Sequence, residues 1–232
     1  MPQISIIIPT YQEAINAPNL LKRIAEAREV HGLKWEVLFM DDDSQDGLGE
    51  AVNRTNFEWA RVIVRKTNRG LAPAVIDGFH HASGNILVVM DADLSHPPEQ
   101  IKALVDHLEH GAEMAIGSRY VPGGSTDPHW GWFRKLNSLI ATWMARPLVK
   151  AKDPMSGFFA LHQQTLERAH QLSPLGYKIG LELMVKCSIK SIAEVPIVFV
   201  DRAAGESKLT FRQQWLYLRH LLRLYKYRLL KR

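Results

Sequence analysis

The stretch Ile86-Leu87-Val88-Val89-Met90-Asp91-Ala92-Asp93 is an apolar run that stops abruptly in two carboxylates. The pattern occurs twice earlier in the chain. Residues 4–8 are apolar apart from Ser5 and are closed by Pro9 and the polar residues 10–13, and residues 35–40 end in Asp41, Asp42 and Asp43. Helical patterns lie between the runs. Pro18 opens one through Leu20, Leu21, Ile24, Ala25 and Ala27, a short one follows from about Gly47, and residues 71–82 form a small-residue helix after a third strand at 62–64. Pro97 and Pro98 fit a helix start, since proline in the first turn gives up no needed N–H; Ile101, Leu104, Val105 and Leu108 then share one face. Apolar strands separated by helices of about 10–15 residues predict an α/β fold, a mostly parallel sheet with helices on both faces. Ligands bind such sheets outside the carboxyl ends of the strands, and there the polar clusters fall.

Beyond Arg119 the alternation loosens. Gly123 and Gly124 mark a loop, and Leu136, Leu139, Ile140, Trp143 and Met144 a helix. Residues 158–161 and 192–200 read as two further strands around a helix near 181–188, which carries Cys187 as a core residue. Neither linker composition nor an internal repeat is visible, so residues 1–210 are expected to form one domain. The 232 residues are 46% hydrophobic and 23% charged, a composition that excludes disorder and low complexity. A single cysteine excludes an internal disulfide framework and fits a reducing compartment. Residues 1–12 carry no positive charge ahead of their apolar run, so no signal peptide is expected. The longest stretches free of Asp, Glu, Lys and Arg, such as 78–90 and 154–166, are 13 residues, short of the roughly 20 that span a bilayer.

The formal charge of +5 is unevenly placed: residues 212–232 hold seven basic side chains and no acid, which leaves −2 on residues 1–211. The same tail carries Phe211, Trp215, Leu218, Leu221, Leu222, Tyr225, Leu229 and Leu230, mostly three or four apart. Residues 211–232 therefore read as an amphipathic helix appended to the domain. It either docks on the core with its charges in water or lies on an anionic membrane surface. A nucleic-acid-binding domain would spread its Lys and Arg over the folded body.

Two carboxylates one residue apart at a strand end, as in Asp91 and Asp93, can both reach one hard cation such as Mg²⁺ or Mn²⁺ shared with substrate phosphates. Solvated loop aspartates give the same spacing. Burying either acidic cluster beside an apolar strand is costly without partners, so cations or hydrogen-bond donors are expected to converge there; Arg119, Arg134, Lys135, Lys178 and Arg202 are available. G-x-G-x-x-G after residue 8, a P-loop, H-E-x-x-H and a G-x-S-x-G elbow are all missing, which argues against dinucleotide, P-loop, zinc-protease and α/β-hydrolase chemistry. His107 and His110 share a helix face expected to meet water.

Taken in order, Ile6-Ile7-Ile8-Pro9-Thr10-Tyr11-Gln12-Glu13, Asp41-Asp42-Asp43-Ser44, Asp91-Ala92-Asp93 and Gly117-Ser118-Arg119-Tyr120 resemble glycosyltransferase family 2. Asp91-Ala92-Asp93-Leu94-Ser95-His96-Pro97-Pro98-Glu99, Asp153-Pro154-Met155-Ser156-Gly157-Phe158-Phe159, Gly176-Tyr177-Lys178-Ile179 and Arg202-Ala203-Ala204-Gly205-Glu206-Ser207-Lys208-Leu209 are similar to its dolichol-phosphate mannose synthase branch. The resemblance covers essentially residues 3–232. It implies the Rossmann-like A-type glycosyltransferase fold, with a sugar nucleotide over Pro9, Tyr11 and Glu13 and its base and ribose lined by Met40 and Asp42. Asp91, Ala92 and Asp93 would hold diphosphate and metal, with Ser95 as a third metal ligand where many relatives carry glutamine. Lys178, Arg202 and Lys208 match positions around the donor phosphates, and Arg119, Arg134 and Ser138 those that clamp an acceptor phosphate. Asp93, Arg119 and Arg134 are the implied catalytic residues.

The implied reaction is metal-dependent (Mg²⁺ or Mn²⁺) inverting transfer of mannose from GDP-mannose to a polyprenyl (dolichyl-type) monophosphate at the cytoplasmic face of a membrane. The enzyme would be peripheral there, and the same resemblance allows for a small membrane-protein partner. A phosphate monoester loses its second proton near about pH 6, so it attacks without a general base, and the missing histidine machinery agrees. Three alternatives stay open. A UDP-sugar such as UDP-glucose could be the donor. A hydroxyl could be the acceptor, although the Q-x-x-R-W of processive enzymes is absent, since Trp215 is followed by Leu216 and Tyr217. A non-catalytic membrane-surface or nucleic-acid-binding protein would leave the carboxylate strand ends unexplained.

Overall fold

Isoleucine, valine and leucine dominate the strands because both faces of the sheet are covered. The computed structural model describes residues 3–128, 131–169, 171–173, 175–200 and 211–230. Its elements run β1 (Ile4–Thr10), α1 (Ala17–His31), β2 (Trp35–Asp41), α2 (Leu48–Asn53), β3 (Ala60–Val64), α3 (Leu71–His81), β4 (Ile86–Val89) and, after a 3₁₀ turn at Pro98–Gln100, α4 (Ile101–Glu109). Then follow β5 (Met114–Ser118), β6 (Ser125–Thr126), α5 (Trp132–Ala145), β7 (Phe159–His162), α6 (Gln163–Leu166), α7 (Ile179–Lys186), β8 (Ile192–Pro196), β9 (Val198–Phe199) and α8 (Phe211–Leu230). The seven-stranded sheet has the order β3-β2-β1-β4-β7-β5-β8, parallel except for β7, which is antiparallel to both neighbours.

Successive residues of a strand point to opposite faces. Ile6, Ile8, Val37, Phe39 and Val88 pack with α1, α2 and α4 in one core cluster; Ile7, Leu38, Met40, Leu87 and Val89 pack with α3, α7 and α8 in the other. The chain goes from β1 outward to β2 and β3, then returns to place β4 on the far side of β1. That reversal opens a crevice above the carboxyl ends of β1, β2 and β4, where a ligand is expected in such a sheet.

The expected elements are present, with one correction. The predicted strand over 192–200 is two strands in two sheets: β8 pairs with β5, while β9 pairs with β6. Pro196 brings no N–H to continue the ladder, and Ile197 bonds to both sides of the break, donating to Ser118 O at 3.0 Å and accepting from Ser125 N at 3.0 Å. The two-residue β6 and four-residue α6 carry too few positions for a periodic signal.

The C-terminal helix docks on the domain, as the first of the two readings of the tail expects. One face docks, with Tyr217, His220, Leu221 and Leu224 buried. Tyr217 Oη donates to Ala141 O at 2.7 Å and Tyr225 Oη to Met144 O at 2.7 Å, tying α8 to α5. The other face leaves Trp215, Leu222, Leu229 and Leu230 exposed beside the exposed Arg219, Arg223 and Lys226.

Close approach at one glycine gives a stability test. A Cβ on Gly84 would lie 2.8 Å from both Ile4 C and Ser5 N, backbone atoms of central β1. Gly84→Ala is expected to lower unfolding stability in urea by about 1–3 kcal/mol. Gly49→Ala, in α2 with nothing within 4 Å of the new methyl, should be neutral or raise it by up to about 1 kcal/mol.

Candidate functional site

Three strand ends build the crevice, and each turns through a strained residue. Among the described residues other than Gly and Asn, positive φ occurs at Gln12 after β1, Asp43 and Gln45 after β2, Leu94 after β4, and Ser188. Such residues persist where the surroundings over-determine them, commonly at binding sites. At Leu94 (φ 64°) the turn brings Ser95 back onto its neighbour, with both N and Oγ of Ser95 donating to Asp93 Oδ1 at 3.1 and 2.6 Å.

The acidic end of β2 is already compensated. Asp41 accepts Ser44 N at 3.1 Å and Ser44 Oγ at 2.8 Å, closing its own turn. Asp42 accepts Gly70 N at 2.6 Å and pairs with the buried guanidinium of Arg65, which also holds Asp77 at 2.7 Å. Asp43 pairs with Arg69 at 2.6 Å. The counter-ions are thus Arg65, at the end of β3, and Arg69, neither of which stood among the expected cations. Their signal was topological, because a strand beside β2 delivers its own end to the same place. Pro9 is partly buried, Tyr11 is exposed, and Glu13 accepts Asn16 Nδ2 at 2.7 Å. Met40 lies wholly in the core and Ala92 is buried, so neither presents its side chain at the crevice surface.

The carboxylates after β4 differ, since positive charge gathers around them from later segments. His96 sits beneath, buried, stacked on Phe158 at 5.3 Å and edge-on to Phe199 at 5.7 Å. Its Nδ1 accepts Asp91 N at 3.0 Å, which leaves the proton of a neutral ring on Nε2. Burial pushes its pKa below the ordinary value against the charges of Asp91 and Asp93. The ring therefore does not neutralise the carboxylates above it.

Opposite them stand Arg119 and Lys178. Arg119, from the end of β5, donates Nε and Nη2 to Asp153 at 2.7 and 2.8 Å, and its backbone N–H bonds the same carboxylate at 3.1 Å. Burial pulls the Arg119 pKa down, the hydrogen bond and charge of Asp153 outweigh it, and the group ends above its ordinary value. Asp153 stood within an expected motif but had no assigned role. Lys178 is the residue before α7; its Nζ donates to Met155 O at 2.9 Å and lies 4.6 Å from the centre of the Tyr177 ring. Burial, then the like charge of Arg119, pull its pKa down to about 8, while Asp153 and Asp91 act the other way. The mutual fields of Asp91, Asp153, Arg119 and Lys178 mark one cluster. Ser138 shares a hydrogen bond with Tyr120 Oη at 2.8 Å, so α5 touches the same strand end. Arg134 stands one turn before Ser138 on α5, on the same face; only its backbone position is described. Arg202 and Lys208 lie outside the described residues.

Asp91, Asp93 and Ser95 offer two carboxylates and a hydroxyl whose lone pairs remain after it donates to Asp93. This hard oxygen set suits Mg²⁺ or Mn²⁺, which keep waters and substrate oxygens in their shells. Among the described residues no three His, Cys, Asp or Glu side chains form a closed metal site. The residues therefore fit a cation whose coordination a diphosphate completes.

Residues 5–165 match the model of the family described as Glycosyl transferase family 2. A dolichol-phosphate mannosyltransferase of Pyrococcus furiosus is 43% identical over 97% of the chain, which spans 64% of that protein's length. A protein of the same name from Saccharomyces cerevisiae is 42% identical over 95% of the chain and 86% of its own length. A polyprenol monophosphomannose synthase of Mycolicibacterium smegmatis is 35% identical over 88% of the chain and 80% of its own length. Among solved structures, glucosyl-3-phosphoglycerate synthase from Mycobacterium tuberculosis with Mn²⁺, uridine diphosphate and phosphoglyceric acid superposes with a TM-score of 0.70. It is 19% identical, over 98% of this chain and 78% of its own, and so shares the fold.

If Lys178 holds a diphosphate, as the sequence resemblance implies, its lowered pKa makes that binding sensitive to pH. The side chain is a cation below about pH 8 and neutral above. Calorimetric affinity for pyrophosphate with Mg²⁺ should hold below that pH and fall above it, by up to about tenfold per unit, and Lys178→Arg should flatten the fall.

Proposed function

The chain belongs to glycosyl transferase family 2, and from that footing we propose that it transfers mannose from GDP-mannose to a polyprenyl monophosphate, with inversion at the anomeric carbon. The observation that carries the reading is the cluster of Asp91, Asp153, Arg119 and Lys178 next to Asp93, linked through Tyr120 and Ser138 to a helix pair with an exposed apolar face. The names of the curated relatives agree with it.

Both reactants are anions, so holding them together is most of the task. Lys178, with Arg202 and Lys208, neutralises the donor diphosphate, and Arg119, Arg134 and Ser138 hold the acceptor phosphate. A divalent cation on Asp91, Asp93 and Ser95, when bound, supplies Lewis-acid stabilisation of the leaving diphosphate. An oxygen of the dianionic lipid phosphate attacks the anomeric carbon as the bond to the nucleoside diphosphate breaks, so no side chain need take a proton. One displacement converts an α-linked sugar nucleotide into a β-linked lipid phosphate. Asp42 and Tyr11 face the nucleoside end, with Asp42 held in place by Arg65.

The acceptor's apolar chain explains an otherwise costly surface. On α5, Trp132, Leu136, Leu139, Ile140 and Trp143 are all exposed, with Trp132 75% and Trp143 72% accessible. Beside them α8 exposes Trp215, Leu222, Leu229 and Leu230. An apolar surface with tryptophans and flanking Arg and Lys is that of a helix pair lying in a membrane interface. No described helix is long and apolar enough to cross a membrane. The exposed apolar face supports reading this chain as lying at a membrane surface, proposed to be the cytoplasmic one, where sugar nucleotide and lipid phosphate meet.

The test is transfer of labelled sugar into organic-extractable lipid by the purified chain, with polyprenyl phosphate in liposomes and GDP-mannose and UDP-glucose in parallel. Label from GDP-mannose alone is expected, lost with EDTA, restored by Mg²⁺ or Mn²⁺, and reduced at least about 100-fold by Asp93→Ala. Label from UDP-glucose alone would overturn the donor, and incorporation into lipid from neither donor would overturn the reaction. Separately, the double change Trp143→Ser and Trp215→Ser should weaken sedimentation with anionic liposomes about tenfold or more at unchanged helicity. Unchanged sedimentation would instead point to a small membrane-protein partner covering this face.

A further inference from the structure

Outside the crevice, Glu194 of β8 spends both carboxylate oxygens on one short segment. Oε2 accepts Lys152 N at 2.8 Å and Oε1 accepts Asp153 N at 3.1 Å. Residues 152–158 then pass three parts of the site in turn. Asp153 grips Arg119 through three hydrogen bonds. Met155 O takes the Lys178 ammonium at 2.9 Å. Gly157 runs so close to the carboxylate side that a Cβ there would lie 3.4 Å from His96 Cε1 and 3.7 Å from Asp91 Oδ2. The bend is held by Ser156 N donating to Asp153 O at 3.2 Å, and the far end by Gly117 N donating to Phe158 O at 2.8 Å. Residues 152–158 are therefore a strap fastened to β5 at its end and to β8, through Glu194, at its start.

We propose that Glu194 is a positioning residue for Arg119. By fixing the N–H groups of Lys152 and Asp153, it sets where Asp153 presents its carboxylate, and Asp153 in turn orients the guanidinium. That this guanidinium meets an acceptor phosphate rests on the function proposed above; the mechanical link from Glu194 to Arg119 does not. A carboxylate suits the place because it offers two acceptors and no donor, and its bonds to backbone N–H groups are charge-assisted. Glutamine would turn an NH₂ toward one of the two backbone donors. The effect on chemistry passes through position, since the Glu194 carboxylate bonds the strap at Lys152 and Asp153.

The test uses the full chain labelled with ¹⁵N, with the Nε–H resonance of Arg119 assigned by its loss in Arg119→Lys. In Glu194→Gln that N–H is expected to exchange with solvent at least about tenfold faster, while amides of β1 and the urea midpoint stay as in the parent. Calorimetric affinity for GDP with Mg²⁺ should stay within about threefold, and KM for polyprenyl phosphate should rise about tenfold or more. Exchange at Arg119 equal to the parent's would overturn the proposal, as would equal loss of GDP and acceptor affinity. Should Glu194→Gln fail to fold, Glu194→Asp, which keeps two acceptors on a shorter arm, gives the same comparison. If the parent transfers no sugar to lipid, the proposed function fails while the exchange arm still decides the link.

Discussion

Five aspartates at the ends of two strands, Asp41, Asp42, Asp43, Asp91 and Asp93, impose the constraint on which the rest of the site depends. Carboxylates next to a packed apolar sheet must find donors or cations, or forfeit much of their solvation. The protein answers in two ways. After β2 the compensation is internal, through Ser44, Arg65, Arg69 and the N–H of Gly70, which makes that end a rigid wall. After β4 the partners come from several elements: Ser95 donates to Asp93, the field of Lys178 reaches Asp91, and His96 lends its Nδ1 to the N–H of Asp91. Asp91 and Asp93 there offer hard oxygens of the kind that suit a divalent cation.

Sheet order turns this local chemistry into a two-sided site. The crossover that places β4 beside β1 brings the two acidic ends to one crevice, and inserting β7 antiparallel carries residues 152–158 across the top of β5. Those residues join Lys178 to Arg119, the proposed donor and acceptor sides. Helix α5 reaches the end of β5 through Ser138 and Tyr120, and α8 is tied to it by two tyrosine hydroxyls on helical carbonyls. Tyr217, Leu221 and Leu224 are buried on one face of α8 while Trp215, Leu222, Leu229 and Leu230 stay outside, an arrangement that suits the proposed acceptor, whose phosphate must be reached at a lipid surface.

Much of this was legible in the sequence because it rests on local pattern. Apolar runs ending in carboxylates predicted strands and the position of the crevice, and the face Ile101, Leu104, Val105 and Leu108 is buried as expected. Partner identity was not legible. That Asp42 pairs with Arg65, 23 residues on, follows from β3 lying beside β2, which no local spacing encodes. Glu194 was invisible for the same reason, since its partners lie 41 and 42 residues away. The exposed face of α5 was concealed differently: Leu136, Leu139, Ile140 and Trp143 have the spacing of a core face, and only the fold shows that small Thr142 and Ala145 are the ones buried.

The central claim is that Asp91 and Asp93 form an open site whose cation is completed by the diphosphate of a bound nucleotide. Electron paramagnetic resonance of Mn²⁺ titrated into the protein, with and without GDP, tests it most directly. The account predicts weak Mn²⁺ binding to the protein alone, strong binding once GDP is present, and loss of both in the variant combining Asp91→Asn with Asp93→Asn. Mn²⁺ bound equally tightly without nucleotide, or retained by that variant, would contradict it.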